Sequence, residues 1–153
     1  MNAIDLLKED HDKVDKLFQK VKATRDQDHT DLFEQIKHEL EVHTHVEETL
    51  FYPRLIADGD EKLQKKTKEG IQEHHQAKMF LRELSNLADE SEKFEPKLKV
   101  LMDDIGHHVQ EEEGELFPMV KEQFDEYTLQ MLGNDIEKEK KSFGKSKSAS
   151  TAK

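Results

Sequence analysis

Residues 43–53 read His43-Thr44-His45-Val46-Glu47-Glu48-Thr49-Leu50-Phe51-Tyr52-Pro53, and residues 108–118 read His108-Val109-Gln110-Glu111-Glu112-Glu113-Gly114-Glu115-Leu116-Phe117-Pro118. Set on their first histidines, both stretches carry Glu at +4, a second Glu at +5, an aromatic ring at +9 and Pro at +10. Residues four apart on a helix project from one face, so His43 with Glu47, and His108 with Glu112, can each grip one centre. Upstream of each stretch lies a segment with one histidine in an apolar stripe. His11 is followed at +3, +7 and +10 by Val14, Phe18 and Val21, and His74 at the same offsets by Ala77, Leu81 and Leu84. The unit is a helical pair that occurs twice. Two such hairpins packed face to face make an all-α, antiparallel, up-down-up-down four-helix bundle.

Working outward, the periodicity places helices over about 2–24, 31–58, 61–89 and from about 91 onward. Asn2 is the expected cap of the first. Ala57-Asp58-Gly59-Asp60 stops the second. Pro96 is tolerated in the first turn of the fourth, whereas Pro53 and Pro118, late in their helices, are expected to kink or end them. Thr128 reads as the cap of a short C-terminal fifth helix reaching about Lys141. Residues 1–141 therefore form one domain, and 142–153 a disordered Lys/Ser-rich tail.

The composition agrees with helix: 39% of the 153 residues are charged, only 33% hydrophobic, and there are three Pro and six Gly. No apolar run approaches the ~20 residues of a membrane span, and the N-terminus lacks the basic-then-apolar pattern of a signal peptide, which predicts a cytoplasmic protein. Without cysteine, any metal site must use nitrogen and oxygen donors. The net charge is −11, but residues 138–153 hold six lysines and one glutamate, which leaves 18 basic and 34 acidic residues, or −16, on the body. So acidic a body argues against nucleic acid and for metal cations. It shows no membrane-binding face and no seam that would decide between monomer and dimer.

The chemistry is carried by His11, His43, Glu47, His74, His108 and Glu112. All six fall in the inner register, with Leu40, Leu50 and Ile105 beside them. An ionised Glu in an apolar interior costs several kcal/mol, and two on facing helices repel each other; a shared cation removes both problems. A lone His on an apolar face is ordinarily a hydrogen-bonded core residue. Six residues at one depth, in two matching halves, argue instead for two metals with about three protein ligands each and open positions for water, oxygen or peroxide. His and carboxylate donors with open positions suit non-haem iron. The choice of His74 over His75 rests on register alone. His29, His38, His45, His75 and His107 lie in polar registers and read as solvated. Glu48, Glu111 and Glu113 read as a charged outer face, from which Glu48 or Glu113 could accept a proton from a ligand imidazole.

The pattern, a lone His, then HxxxEE with its distal aromatic and Pro, then both again, resembles the hemerythrin-like domains known as HHE cation-binding domains. The resemblance covers nearly all of residues 1–141. It implies a non-haem di-iron centre, usually oxo- or hydroxo-bridged, held by His11, His43, Glu47, His74, His108 and Glu112, with zinc or manganese as alternative occupants. Oxygen-carrying relatives have a further His four residues after the third-helix ligand and end the fourth-helix motif with Asp. Here those positions are Lys78 and Glu112. The resemblance is therefore nearer to bacterial proteins that handle oxygen, peroxide or nitric oxide under stress, or that sense or buffer iron, than to reversible oxygen carriage. Peroxide- or nitric oxide-consuming activity is one implied outcome.

Overall fold

The computed structural model describes residues 1–87 and 92–151, with side chains through 143. Among these residues, five helices follow one another. They are α1 (Ala3–Ala23), α2 (Thr30–Val46, running on through Glu47–Phe51 into Tyr52–Asp58), α3 (Glu61–Asn86), α4 (Phe94–Glu111, running on through Glu112–Leu116 into Phe117–Gln123) and α5 (Glu126–Thr151). The first four form the up-and-down bundle, and α5 lies against α1 and α2.

Local signals set most boundaries. The Asn2 side chain accepts from the Asp5 amide at 2.9 Å, and Asp60 accepts from the Leu63 amide at the same distance. Gly59 closes α2, its amide bonded to the Leu55 carbonyl at 2.9 Å. The expected cap of the fifth helix moves three residues upstream. Asp125, not Thr128, accepts the orphan amide, from Thr128 N–H at 2.8 Å. A carboxylate three residues ahead of the donor competes better for it than a hydroxyl inside the first turn. Residues 88–91, including the expected start of the fourth helix at Ser91, lie outside the described residues, as do 152 and 153 and the side chains beyond 143. The backbone of 142–151, expected as a disordered tail, continues α5 as helix, ten residues beyond the expected end at Lys141.

Pro53 and Pro118 do not end their helices. Each is preceded by a five-residue π-helical turn, Glu47–Phe51 and Glu112–Leu116. A proline ring collides with the carbonyl four residues back and cannot donate to it. The wide turn moves that carbonyl away, and the helix continues. Both turns begin at the motif glutamate. The Glu47 amide bonds the carbonyls of His43 and Thr44, and the Glu112 amide those of His108 and Val109.

The core has two parts. Ile4, Leu7, Phe51, Tyr52, Leu55, Leu63, Phe117 and Ile136 pack one end. Val14, Phe18, Ile36, Leu40, Leu81, Leu84, Leu98 and Leu101 pack the other. Between them the interior is polar. At the first end, α5 approaches the chain start so closely that a Cβ on Gly133 would sit 2.4 Å from the Met1 carbonyl oxygen, which requires glycine there.

Candidate metal centre

The polar layer between the two apolar clusters holds all six sequence-selected residues. His11, His43, Glu47, His74, His108 and Glu112 are each at most 8% exposed, and the two glutamates are 0% and 2% exposed. Glu47 Oε1 lies 2.9 Å from His43 Nε2 and 3.1 Å from His74 Nε2. Glu112 Oε1 lies 3.0 Å from His11 Nε2, and its Oε2 3.4 Å from His108 Nε2. Each carboxylate therefore spans one imidazole from each half of the chain. The imidazoles, by contrast, pair within each half, His11 with His43 at 4.9 Å between ring centres and His74 with His108 at 5.0 Å, both edge-on.

These atoms approach one another without bonding. His11 Nε2, His43 Nε2, His108 Nε2, both Glu47 oxygens and Glu112 Oε1 are buried with no aligned hydrogen-bond partner. Buried polar atoms are nearly always satisfied. Six unsatisfied nitrogen and oxygen donors facing one another fit a cation, and they fall into two overlapping donor groups, His11/His43/Glu112 and Glu47/His74/His108/Glu112. Mixed imidazole and carboxylate donors suit a transition metal of intermediate hardness.

The outer nitrogen of every imidazole is held. His43 Nδ1 donates to Asp10 at 3.0 Å, His108 Nδ1 to Glu73 at 2.6 Å, His74 Nδ1 to Glu48 at 3.0 Å and His11 Nδ1 to Glu113 at 2.6 Å. A carboxylate can only accept, so Nδ1 is the donor and Nε2 faces the interior. The repeat governs this arrangement too. Asp10 and Glu73 each precede a lone histidine, Glu48 and Glu113 each follow a motif glutamate, and the partners correspond between halves. Of these four, Glu48 and Glu113 were foreseeable as proton acceptors; Asp10 and Glu73 were not singled out. Their signal is the acidic residue directly before each lone histidine.

The +9 rings differ between halves. Phe117 stacks on His11 at 5.9 Å with an interplanar angle of 4°. Tyr52 turns its hydroxyl into the centre, donating to Glu112 Oε2 at 2.5 Å, with His74 Nε2 3.3 Å away. Burial and the Glu112 charge push the Tyr52 phenol well above its ordinary value, so it stays a donor. Burial opposes charging the imidazoles, but Glu47 and Asp10 hold His43 up to about 10, and Glu112 and Glu73 hold His108 up to about 11. Glu112 is itself held well below the carboxylate range, burial notwithstanding, by His108 and His11.

Among the other histidines, His38, His75 and His107 are exposed as expected, which leaves His74 as the buried one of its pair. His29 is not solvated. It is 2% exposed and bonded to Glu95 at 2.7 Å and to the Thr24 carbonyl at 2.8 Å, tying the α1–α2 connection to α4. His45 is half-buried, paired with Glu139 at 2.8 Å and packed on the Phe143 ring. Lys78 lies outside the donor set and bonds Glu48 at 2.6 Å, behind His74. Among the described residues no helix is long and apolar enough to cross a membrane.

A family model described as the hemerythrin HHE cation-binding domain matches residues 2–120. The crystal structure of a hemerythrin HHE cation-binding domain-containing protein from Mycobacterium kansasii superposes with a TM-score of 0.80 over 95% of this chain and 89% of that one, at 24% identity, a likeness of fold. A protein of Nostoc sp. named DNA nickase is 30% identical over 125 residues, 79% of this chain. The chain spans about a third, 34%, of that relative's length.

Proposed function

Because the chain belongs to the hemerythrin HHE cation-binding domain family, we propose that it holds two non-haem iron ions among His11, His43, Glu47, His74, His108 and Glu112 and uses them to handle oxygen, peroxide or nitric oxide, in stress response or redox sensing. The observation that carries this reading is the set of six buried donor atoms without hydrogen-bond partners. Bound iron would supply exchange of electrons with a small oxidant, which no side chain in the centre can supply. The protein's own residues do the rest. Glu47 and Glu112 each face an imidazole from both halves, which suits a carboxylate shared between two ions. Asp10, Glu48, Glu73 and Glu113 fix the imidazole planes. Tyr52 holds a proton against Glu112, and the flanking apolar clusters keep bulk water away.

Reversible oxygen carriage is the weaker reading, since Lys78, where a carrier would place a ligand, is engaged by Glu48. An iron sensor or buffer without turnover is the second reading, favoured by the position of the centre between two separate apolar clusters. DNA is not the proposed partner. The body is strongly acidic, and the DNA nickase from Nostoc sp. is about three times as long as the stretch they share.

Reconstitution with ferrous iron should give about two irons per chain, matching the two overlapping donor groups. His43→Ala combined with Glu112→Ala should abolish it. A wild-type protein that takes up no iron, or a double variant that takes up as much, would sink the proposal. Peroxide and nitric oxide turnover assays then separate the redox reading from the sensor reading.

A further inference from the structure

The four carboxylates behind the imidazoles are not alike. The side chains of Glu48, Glu73 and Glu113 are 28%, 35% and 36% exposed, so water screens their charge. Asp10 is 6% exposed and cannot rely on water. Its Oδ2 accepts from His43 Nδ1, and its Oδ1 accepts from the ammonium of Lys140. Lys140 belongs to α5, beyond the residues that the family model matches. Its neighbours on α5 engage the same turn of α2: Glu139 pairs with His45 at 2.8 Å, and the Phe143 ring lies 4.6 Å from the His45 ring. Among the described residues the other half of the repeat has no counterpart. Glu73 stands where Asp10 stands, half-exposed, with His108 and no lysine bonded to it.

We propose that Lys140 is a positioning residue of the centre: by neutralising buried Asp10 it holds the His43 imidazole in place, so that docking of the C-terminal helix and filling of the His11/His43 position are coupled. The inference rests on the metal-binding reading above. Without the ammonium, Asp10 would be a buried carboxylate facing one imidazole, and would turn toward solvent. That turn releases Nδ1 of His43 and lets its ring swing, lowering the affinity of that position. Linkage is reciprocal: a cation that fixes His43 also fixes Asp10 and, through it, Lys140 and α5.

The test is anaerobic titration of the full chain with ferrous iron against a competing chelator, beside hydrogen exchange of residues 129–143 with and without metal. Wild type should bind two equivalents, and metal should slow exchange in α5. Lys140→Met should weaken one equivalent by roughly 10- to 100-fold, leave the other unchanged, and abolish the metal-dependent slowing. Lys140→Arg should restore most of both. A merely structural ion pair would lower stability in Lys140→Met without singling out one equivalent. If Lys140→Met does not fold, Asp10→Ala with Lys140→Met removes the buried charge together with the acceptor of His43 Nδ1, and the same loss of one equivalent is expected. Two equivalents of wild-type affinity in either variant, with α5 still protected by metal, would overturn the inference and leave the metal reading standing. A wild type that binds no metal overturns both.

Discussion

Among the described residues, Glu47 and Glu112 have no lysine or arginine among their ion-pair partners, and in the metal-free protein protons on His43 and His108 act as the stand-in cations. The sign of the pH dependence follows. Both imidazoles are held above the ordinary 6.5, at about 10 and about 11, so their stabilising contribution is complete below pH 6.5 and lost as pH rises through those values. Metal must displace the same protons, so its affinity should move the other way, by about one decade per pH unit for each imidazolium displaced. Melting of the metal-free protein should therefore fall between pH 7 and 10 while iron affinity rises from pH 6 to 8. Parallel trends would contradict the protonated-imidazole picture. At this scale the sequence was informative wherever register decides, which covers His74 over His75. It was silent where a partner lies far along the chain: His29 is buried by Glu95, 66 residues away, and no local pattern marks that contact.

At the scale of the element, the two π turns convert a disruptive residue into a positioning device. Each turn adds width at the motif glutamate and then restores the α-helix, so that the donors before it and the aromatic ring after it both face inward. Glu47 and Tyr52 are each 0% exposed although five residues apart. In an unbroken α-helix five residues rotate about 500°, which would put them some 140° apart. Deleting Thr49, an exposed member of the first turn, should collapse the turn to α-helix, leaving Glu47 and Tyr52 four residues and about 400° apart, still on one face, but setting the Pro53 ring against the carbonyl four residues back at a cost of about 3 kcal/mol. Melting and iron content measured together decide the matter: a deletion variant with wild-type values of both would show that the wide turn is dispensable. The sequence leads one to expect a kink or an end at each proline, and the helices do not end there; the wide turn before each ring was not legible, because a π turn leaves no compositional trace. What it offered instead was the coincidence of Pro at +10 in two motifs, which points to a shared backbone requirement.

For the whole molecule, the consequence is a bundle whose two apolar ends are joined through an electrostatic middle. That layer lacks hydrogen bonds at six atoms, so a ligand bound there adds its full binding energy to folding. Saturation at 1,000 times the dissociation constant contributes about 4 kcal/mol, or a rise in Tm of roughly 8–16 °C for a domain of this size. Differential scanning calorimetry with and without iron measures it, and an unchanged Tm would mean that the middle layer is satisfied without metal. The bundle and its antiparallel order were legible because the sequence repeats itself. The seating of α5 was not, since an apolar stripe of Leu129, Leu132 and Ile136 says that a helix packs but not on which neighbours.

The halves that make the centre differ where Tyr52 answers Phe117. One half offers a hydroxyl to Glu112 beside His74, and the other only a bare ring over His11. Two identical ions would thus meet unlike berths. Filling would proceed in a set order, and a scarce metal could occupy one berth while a commoner one waits in the other.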